Sequence, residues 1–164
     1  MSTLNLSTNG PSINKSFHSV IDAPLPTGPA ASSPTYGIWA VFSVSAPLTN
    51  AFAPANVGGE SVLKVQSTGG KVYSPDNKRS SDSRTSLEGE LIDLIDEFSD
   101  GKIQFAFAKV KDPNTSLFKN VLIAWCGEGV PERTKGYFTS HLNAVAKTLH
   151  VRSTPVPDFS YLSH

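Results

Sequence analysis

The sequence predicts an α+β fold, in which helices pack on a mixed and mostly antiparallel central β-sheet. Some segments repeat apolar residues at helical spacing, whereas others are rich in β-branched and aromatic residues or alternate apolar with polar ones. Their order is helix, two strands, helix, two strands and a long helix. The 164 residues suffice for one domain with a real core, and the low hydrophobic share of 38% indicates that part of the chain is loop.

The first half of the chain supplies one helix and one pair of strands. Pro11 suits the first turn of the helix, with Asn9 or Gly10 near its cap. A proline-rich loop over 24–34 leads to a buried strand at 36–44. The alternating segment 61–66 is expected to pair with that strand. The apolar stripe of the helix consists of Ile13, Phe17, Val20 and Ile21.

A second amphipathic helix is predicted before residue 100. Thr85 and Glu88 match a capping box at its start, and the Asp100–Gly101 pair ends it. Two Ser-, Pro- and Gly-rich stretches, near 45–60 and 69–86, are interpreted as surface insertions. The apolar face of the helix consists of Leu87, Leu91, Leu94, Ile95 and Phe98.

The next two strands are expected to form a hairpin. Residues 102–109 alternate, with Ile103, Phe105 and Phe107 on one face. A turn at 111–114 leads to the second strand at 118–126.

A long helix is predicted from Pro131 to about Leu149. Its apolar stripe consists of Phe138, Leu142, Val145 and Leu149. The opposite face carries small residues and cations, namely Arg133, Gly136, Ser140, Ala144 and Lys147. Such a face suits close docking on an acidic protein surface. From these residues alone, an ordinary exposed face is the preferred interpretation.

No motif in the chain predicts catalysis, a metal site or a cofactor. The four histidines lack metal-ligand spacing, and no nucleophile elbow or phosphate-binding loop is present. Fourteen basic and fourteen acidic residues cancel, so the basic excess of a nucleic-acid binder is missing. A lone cysteine, Cys126, and the absence of a long apolar run favour a cytoplasmic protein without a transmembrane segment.

The segment 100–149 resembles the ADF/cofilin homology domain, in its drebrin-like branch. The resemblance is carried by the turn KVKDPN, by FKNVLIAWCGEGVPERTKG at the strand-to-helix junction, and by the small-residue helix after it. It is looser over 5–44, where NLSTNGPSI and IWAVFSV match, and it lapses in the two insertions. The resemblance implies a cofilin/gelsolin-like sandwich over 1–151, followed by an irregular tail at 152–164. The family domain continues with another strand and a helix, which the Pro155–Pro157 segment is not expected to form.

The resemblance also implies a function and a binding site. The domain is expected to bind the sides of actin filaments, without enzymatic activity, in the cortical actin cytoskeleton and in processes such as endocytosis. The family's basic pair maps onto Arg133 and Lys135, and a second filament contact is expected at Lys109, Lys111 and Lys119. Severing or monomer binding, as in cofilin, is one alternative. A phosphoinositide-binding surface is another, since basic faces attract anionic lipid.

Overall fold

In a computed structural model, the chain forms helices on both faces of a five-stranded sheet, which confirms the α+β prediction. The structure describes residues 4–26, 33–45, 61–69 and 91–150. The strands are β1 (Leu4–Asn5), β2 (Gly37–Ser45), β3 (Ser61–Gly69), β4 (Ile103–Lys111) and β5 (Phe118–Cys126). The helices are α1 (Gly10–Ile21), α2 (Leu91–Asp96), α3 (Glu132–Lys135) and α4 (Phe138–Thr148).

The strand order in the sheet is β1-β3-β2-β4-β5. The pairs β3–β2, β2–β4 and β4–β5 are antiparallel, whereas β1 pairs parallel with β3. The predicted pairing of β2 with β3 and the predicted hairpin are confirmed. Strand β1 was not predicted, because two residues are too short to show any alternation.

The sheet buries side chains on both faces. Face A, which carries Phe105 and Phe107 of β4, packs against α1 and α4 and holds the larger core. Face B, which carries Ala106 and Ala108 of β4, packs against α2 through Leu94. The prediction of a single apolar face for β4 was therefore incomplete, because β4 lies inside the sheet and is covered on both sides.

Helix α2 differs from its prediction in where it ends and in which side chains it packs on the sheet. Residues 85–90, which include the expected capping box, lie outside the described residues, and the helix ends at Asp96. Leu94 is buried, and Leu91 and Phe98 pack beside it, but Ile95 is 62% exposed. The assignment of Ile95 to the packed face was wrong, because α2 presents its Leu91–Leu94–Phe98 side to the sheet.

The predicted long helix is divided into α3 and α4. Gly136 and Tyr137 join them, and the Tyr137 amide donates to the Thr134 carbonyl oxygen at 3.0 Å, a tightened three-residue turn. Val145 and Leu149 of the predicted stripe are buried, and Phe138 and Leu142 pack against the same core. The apolar stripe is therefore confirmed, although the single continuous helix is not.

A buried polar network ties the end of α2 to the sheet. The Gln104 side-chain amide on β4 donates to the Gln66 Oε1 atom (2.9 Å) and to the Glu97 carbonyl oxygen (2.8 Å). The amide of Ser99 donates to Gln104 Oε1 at 2.7 Å. Because a buried amide without partners would be costly, this network holds the segment after α2 in one position.

The two predicted insertions and the C-terminal tail lie outside the described residues, apart from the last residues of the strands that border them. Within the described residues, no helix is long and apolar enough to cross a membrane.

Candidate functional site

The start of α3 is anchored to the loop before β4 by Gly127. Its amide donates to the Lys102 carbonyl oxygen at 3.1 Å. A Cβ atom at this position would lie 2.1 Å from the Asp100 carbonyl oxygen, so the two backbone segments are in direct contact. Val130, three residues later, is buried in the core. The direction in which α3 leaves the sheet is therefore determined by backbone contact.

Helix α3 begins after Pro131, whose extended backbone ends the turn. The Pro131 carbonyl oxygen accepts from the amides of Thr134 (2.7 Å) and Lys135 (3.0 Å). Glu132 in the first turn complements the positive end of the helix. A single turn is marginal by itself, so the position of α3 depends on these anchors.

The predicted outer face of the long helix is exposed in α3 and α4. Arg133, Gly136, Ser140 and Lys147 are all exposed, and Ala144 between the last two is half-buried. Ser140 and Lys147 are two helical turns apart, about 10 Å along the axis. The Arg133 guanidinium has no hydrogen-bond or ion-pair partner among the described residues. This surface, called the α3–α4 face below, therefore has a cation at each end and small side chains between them.

Lys135, the second member of the predicted basic pair, lies beside the α3–α4 face. It is half-buried, and its Nζ atom donates to Glu132 Oε1 at 2.7 Å. This hydrogen bond raises the pKa of Lys135. The Glu132 carboxylate is almost fully exposed, and such surface pairs contribute little to stability. A partner can therefore replace Glu132 at small cost.

Lys109 of the hairpin has a structural role. Its ammonium donates to the main-chain carbonyl oxygens of Ile21 and Ala23 at the end of α1, the latter at 3.0 Å. A cation at a helix C-terminus is favourable because the carbonyl groups there lack helical partners. This contact joins distant parts of the chain, so no local sequence pattern could have predicted it.

Lys119 is paired with Asp112 across the hairpin turn. The Lys119 ammonium and the amide of Asn114 both donate to the Asp112 carboxylate, which holds the pKa of Asp112 far below its usual range. Strand alternation directs Lys109 and Lys111 to face A and Lys119 to face B. The three predicted hairpin lysines therefore do not form one cluster, and Lys109 and Lys111 lie on the same face of the sheet as α4.

The inner side of α4 contains a buried histidine. His141 is 1% exposed, and neither ring nitrogen has a hydrogen-bond partner among the described residues. Its ring stacks on Tyr137 with centroids 6.2 Å apart. Burial lowers the pKa of His141, so the ring is neutral in the fold at neutral pH. The sequence signal was its spacing of three residues from Phe138, which places it near the apolar stripe.

Comparisons with known proteins show which proteins this chain is similar to. Mouse (Mus musculus) drebrin-like protein is 31% identical over 146 residues, which cover 89% of this chain and 24% of that protein. An actin-binding protein of Saccharomyces cerevisiae is 29% identical over 87 residues, covering 51% of this chain and 14% of that protein. The chain thus spans a quarter or less of the length of these relatives. The solved cofilin homology domain of the yeast actin-binding protein ABP1P superposes with a TM-score of 0.55 at 19% identity, covering 90% of this chain and 80% of that one.

The family profile described as cofilin/tropomyosin-type actin-binding protein matches residues 63–158, more than half of the chain. It spans the hairpin, the Gly127 turn and the α3–α4 face. The chain therefore belongs to the cofilin/tropomyosin-type actin-binding protein family.

Proposed function

We propose that this chain is an actin-binding module that binds the sides of filaments, has no catalytic activity, and helps to organise the cortical actin cytoskeleton of the cytoplasm. Family membership supports actin as the partner. Two relatives are named drebrin-like protein and actin-binding protein, and this chain matches a part of each. Actin is therefore proposed as the partner of this chain as well. The side-binding mode is inferred from the resemblance to the drebrin-like branch.

The observation that carries the proposal is the α3–α4 face. Its exposed side chains between Arg133 and Lys147 are small, and a partner can therefore approach the helix backbone closely. The Arg133 guanidinium can bind a carboxylate of the partner. Lys135 can release the Glu132 carboxylate and bind a carboxylate of the partner instead. Actin-directed contacts are proposed for Arg133, Lys135, Gly136, Ser140 and Lys147, with Lys111 as a further contact on the same face of the sheet.

Cosedimentation with actin filaments tests the proposal. The chain is expected to pellet with filaments, and less so as salt rises, since charge attraction is screened within about 8 Å at physiological ionic strength. Replacing Arg133 and Lys135 by Ala should weaken binding by on the order of 2 kcal/mol, about 30-fold in Kd. Lys15→Ala is the matched control, because Lys15 is an exposed cation on α1.

A folded chain that stays in the supernatant with filaments would refute filament binding. If the double variant binds as well as the Lys15→Ala control does, the α3–α4 face is not the binding site. Single-filament microscopy separates side binding from severing. Fragmentation at a low ratio of the chain to actin would contradict the side-binding mode.

A further inference from the structure

The chain contains a single Asn–Gly pair, Asn9–Gly10, at the start of α1. An asparagine side chain can cyclise onto the backbone amide nitrogen of the next residue. Glycine in that next position permits the reaction most readily, because it has no Cβ atom to obstruct the approach. Asn9 and Gly10 are both half-buried, so solvent reaches this turn. The pair therefore has the chemistry that deamidation needs.

The fold does not require glycine at position 10. Gly10 is the first residue of α1, and a Cβ atom there would meet nothing within 4 Å among the described residues. At Gly127, by contrast, a Cβ atom would overlap with backbone atoms. Alanine therefore fits at position 10, and it favours a helix more than glycine does. Gly10→Ala is thus a variant that changes the reactivity of the pair and keeps the fold.

The side chain of Asn9 is held by strand β3. Its Nδ2 atom donates to the Leu63 carbonyl oxygen at 2.8 Å, and Leu63 is 1% exposed. The Asn9 carbonyl oxygen accepts from the Ile13 amide at 2.9 Å, the first hydrogen bond of the helix. The Asn9 side chain therefore cannot rotate towards Gly10 unless the contact between α1 and β3 breaks.

The backbone nitrogen of Gly10 is also directed away from the Asn9 side chain. Asn9 has a ψ angle of 17°, which places the Gly10 nitrogen close to eclipsing the Asn9 nitrogen, whereas a five-membered ring needs it on the Cβ side. The Gly10 amide donates to the Ser7 carbonyl oxygen at 3.1 Å, and ring closure removes this proton. The native geometry therefore keeps the two reacting atoms apart.

We propose that Asn9–Gly10 is a deamidation site that the native fold suppresses and that reacts when the start of α1 separates from β3. The Gly10 nitrogen then bonds to Asn9 Cγ, the Cγ–Nδ2 bond breaks, and ammonia leaves with the proton of the Gly10 amide. Water opens the resulting succinimide at one of its two carbonyl groups, which gives aspartate or isoaspartate at position 9.

Neither product restores the native contact. A carboxylate has no N–H group to donate to the Leu63 carbonyl oxygen, and its charge repels that oxygen. Isoaspartate also adds one carbon atom to the main chain, next to the hydrogen bond from Ile13 that begins α1. Ile13 is 1% exposed and belongs to the same core as Val145 of α4. The reaction is irreversible, so it marks chains in which α1 has opened and leaves them less stable.

Incubation of the full chain in mildly alkaline buffer, with and without guanidinium chloride, tests this proposal. Peptide mapping by mass spectrometry locates each deamidated residue, and an isoaspartyl methyltransferase counts isoaspartate. Asn9 should react at least about ten-fold faster in the denaturant, because the folded chain reacts only through a minor open state. Gly10→Ala should melt no lower than the natural chain and react several-fold more slowly in the denaturant. Asn14, which is followed by lysine, is the internal reference.

A variant that loosens α1 tests the link to opening. Ile13→Ala removes a core side chain of α1 and should accelerate deamidation of Asn9 without denaturant. Leu117→Ala is the matched control, because Leu117 is 64% exposed in the hairpin turn, and its rate should equal that of the natural chain. Chains deamidated in denaturant, refolded by dilution and separated by their added negative charge should melt below the parent.

Three results would overturn the proposal. The first is an equal rate at Asn9 with and without denaturant, or an Ile13→Ala rate equal to that of the natural chain, since the fold would then give no protection. The second is an Asn9 rate in denaturant that is no higher than that of Asn14, or that Gly10→Ala leaves unchanged. The third is a deamidated chain that melts together with its parent.

Discussion

Replacing Gly127 by Ala should displace the α3–α4 face from its position. The added Cβ would lie 2.1 Å from the carbonyl oxygen of Asp100, 2.3 Å from its carbonyl carbon and 2.5 Å from its Cα. All three are backbone atoms, so no side chain can rotate to relieve the overlap. The turn has to move away from the Asp100 loop, and the hydrogen bond from Gly127 to Lys102 is lost or lengthened.

The cost follows from the size of the overlap. Overpacking by one methyl group typically costs about 1–3 kcal/mol. Loss of the hydrogen bond from Gly127 to Lys102 adds about 1 kcal/mol. For a domain of this size, 1 kcal/mol corresponds to about 2–4 °C in the melting temperature. We expect Gly127→Ala to lower the melting temperature by roughly 4–16 °C, and to weaken filament binding at temperatures where the variant remains folded.

Gly101→Ala provides a matched control, since Gly101 belongs to the neighbouring loop but a Cβ there meets nothing within 4 Å. Calorimetry and actin cosedimentation of both variants give the comparison. If Gly127→Ala melts within 1–2 °C of Gly101→Ala, a shift of about 1 kcal/mol or less, then the anchoring argument fails.

Three further predictions concern buried or bridging side chains. Because burial lowers the pKa of His141, the unfolded chain takes up the proton first as pH falls. Stability should be full above about pH 6.5 and decrease below it by at most about 1.4 kcal/mol per pH unit; His141→Phe should flatten this decrease, unlike substitution of the exposed His150. Lys109→Met should cost about 1–2 kcal/mol in urea unfolding by leaving the α1 carbonyl groups without their donor, and an effect no larger than that of Lys15→Met would contradict the bridging role. Gln104→Leu should cost about 1–3 kcal/mol through buried groups left unpaired, and unchanged thermal unfolding would show that the network is dispensable.

Local pattern sufficed to predict the elements whose residues repeat a clear pattern within one segment. The bounds of β5 agree with the prediction, as does the α1 stripe of Ile13, Phe17 and Val20. Both carry a strong signal, because a buried helix face and a hairpin strand repeat their pattern within one segment. The outer face of the long helix was also predicted correctly as exposed, since the same periodicity that buries Val145 directs Ser140 and Lys147 outward.

Features that depend on contacts between distant segments could not be predicted. The division into α3 and α4 falls at Gly136 and Tyr137, where the Tyr137 amide donates to the Thr134 carbonyl oxygen in a tightened turn that the helical periodicity does not contain. The exposure of Ile95 depends on how the hydrogen bonds between Glu97 and β3 orient α2. The family resemblance assigned Lys109 to a second filament contact, whereas its contact with Ile21 requires knowledge of the fold. These features depend on tertiary contacts, which the local patterns of a single sequence do not contain.

The strand order has a consequence for how the domain folds and for how its length can change. The β4–β5 hairpin joins neighbouring segments, but β2 pairs with β3 across residues 46–60, and β2 pairs with β4 across a still longer stretch that includes residues 70–90. The entropic cost of closing a connection between two paired strands grows only logarithmically, by about 0.6 kcal/mol for each doubling of its length. Insertions or deletions in these two connections should therefore change the folding rate, through the search for the β2–β4 pairing, more than they change equilibrium stability. The β4–β5 hairpin has a short turn and is expected to form before β2 pairs with β4. Both long connections can therefore vary in length while the α3–α4 face, which follows the hairpin, is kept.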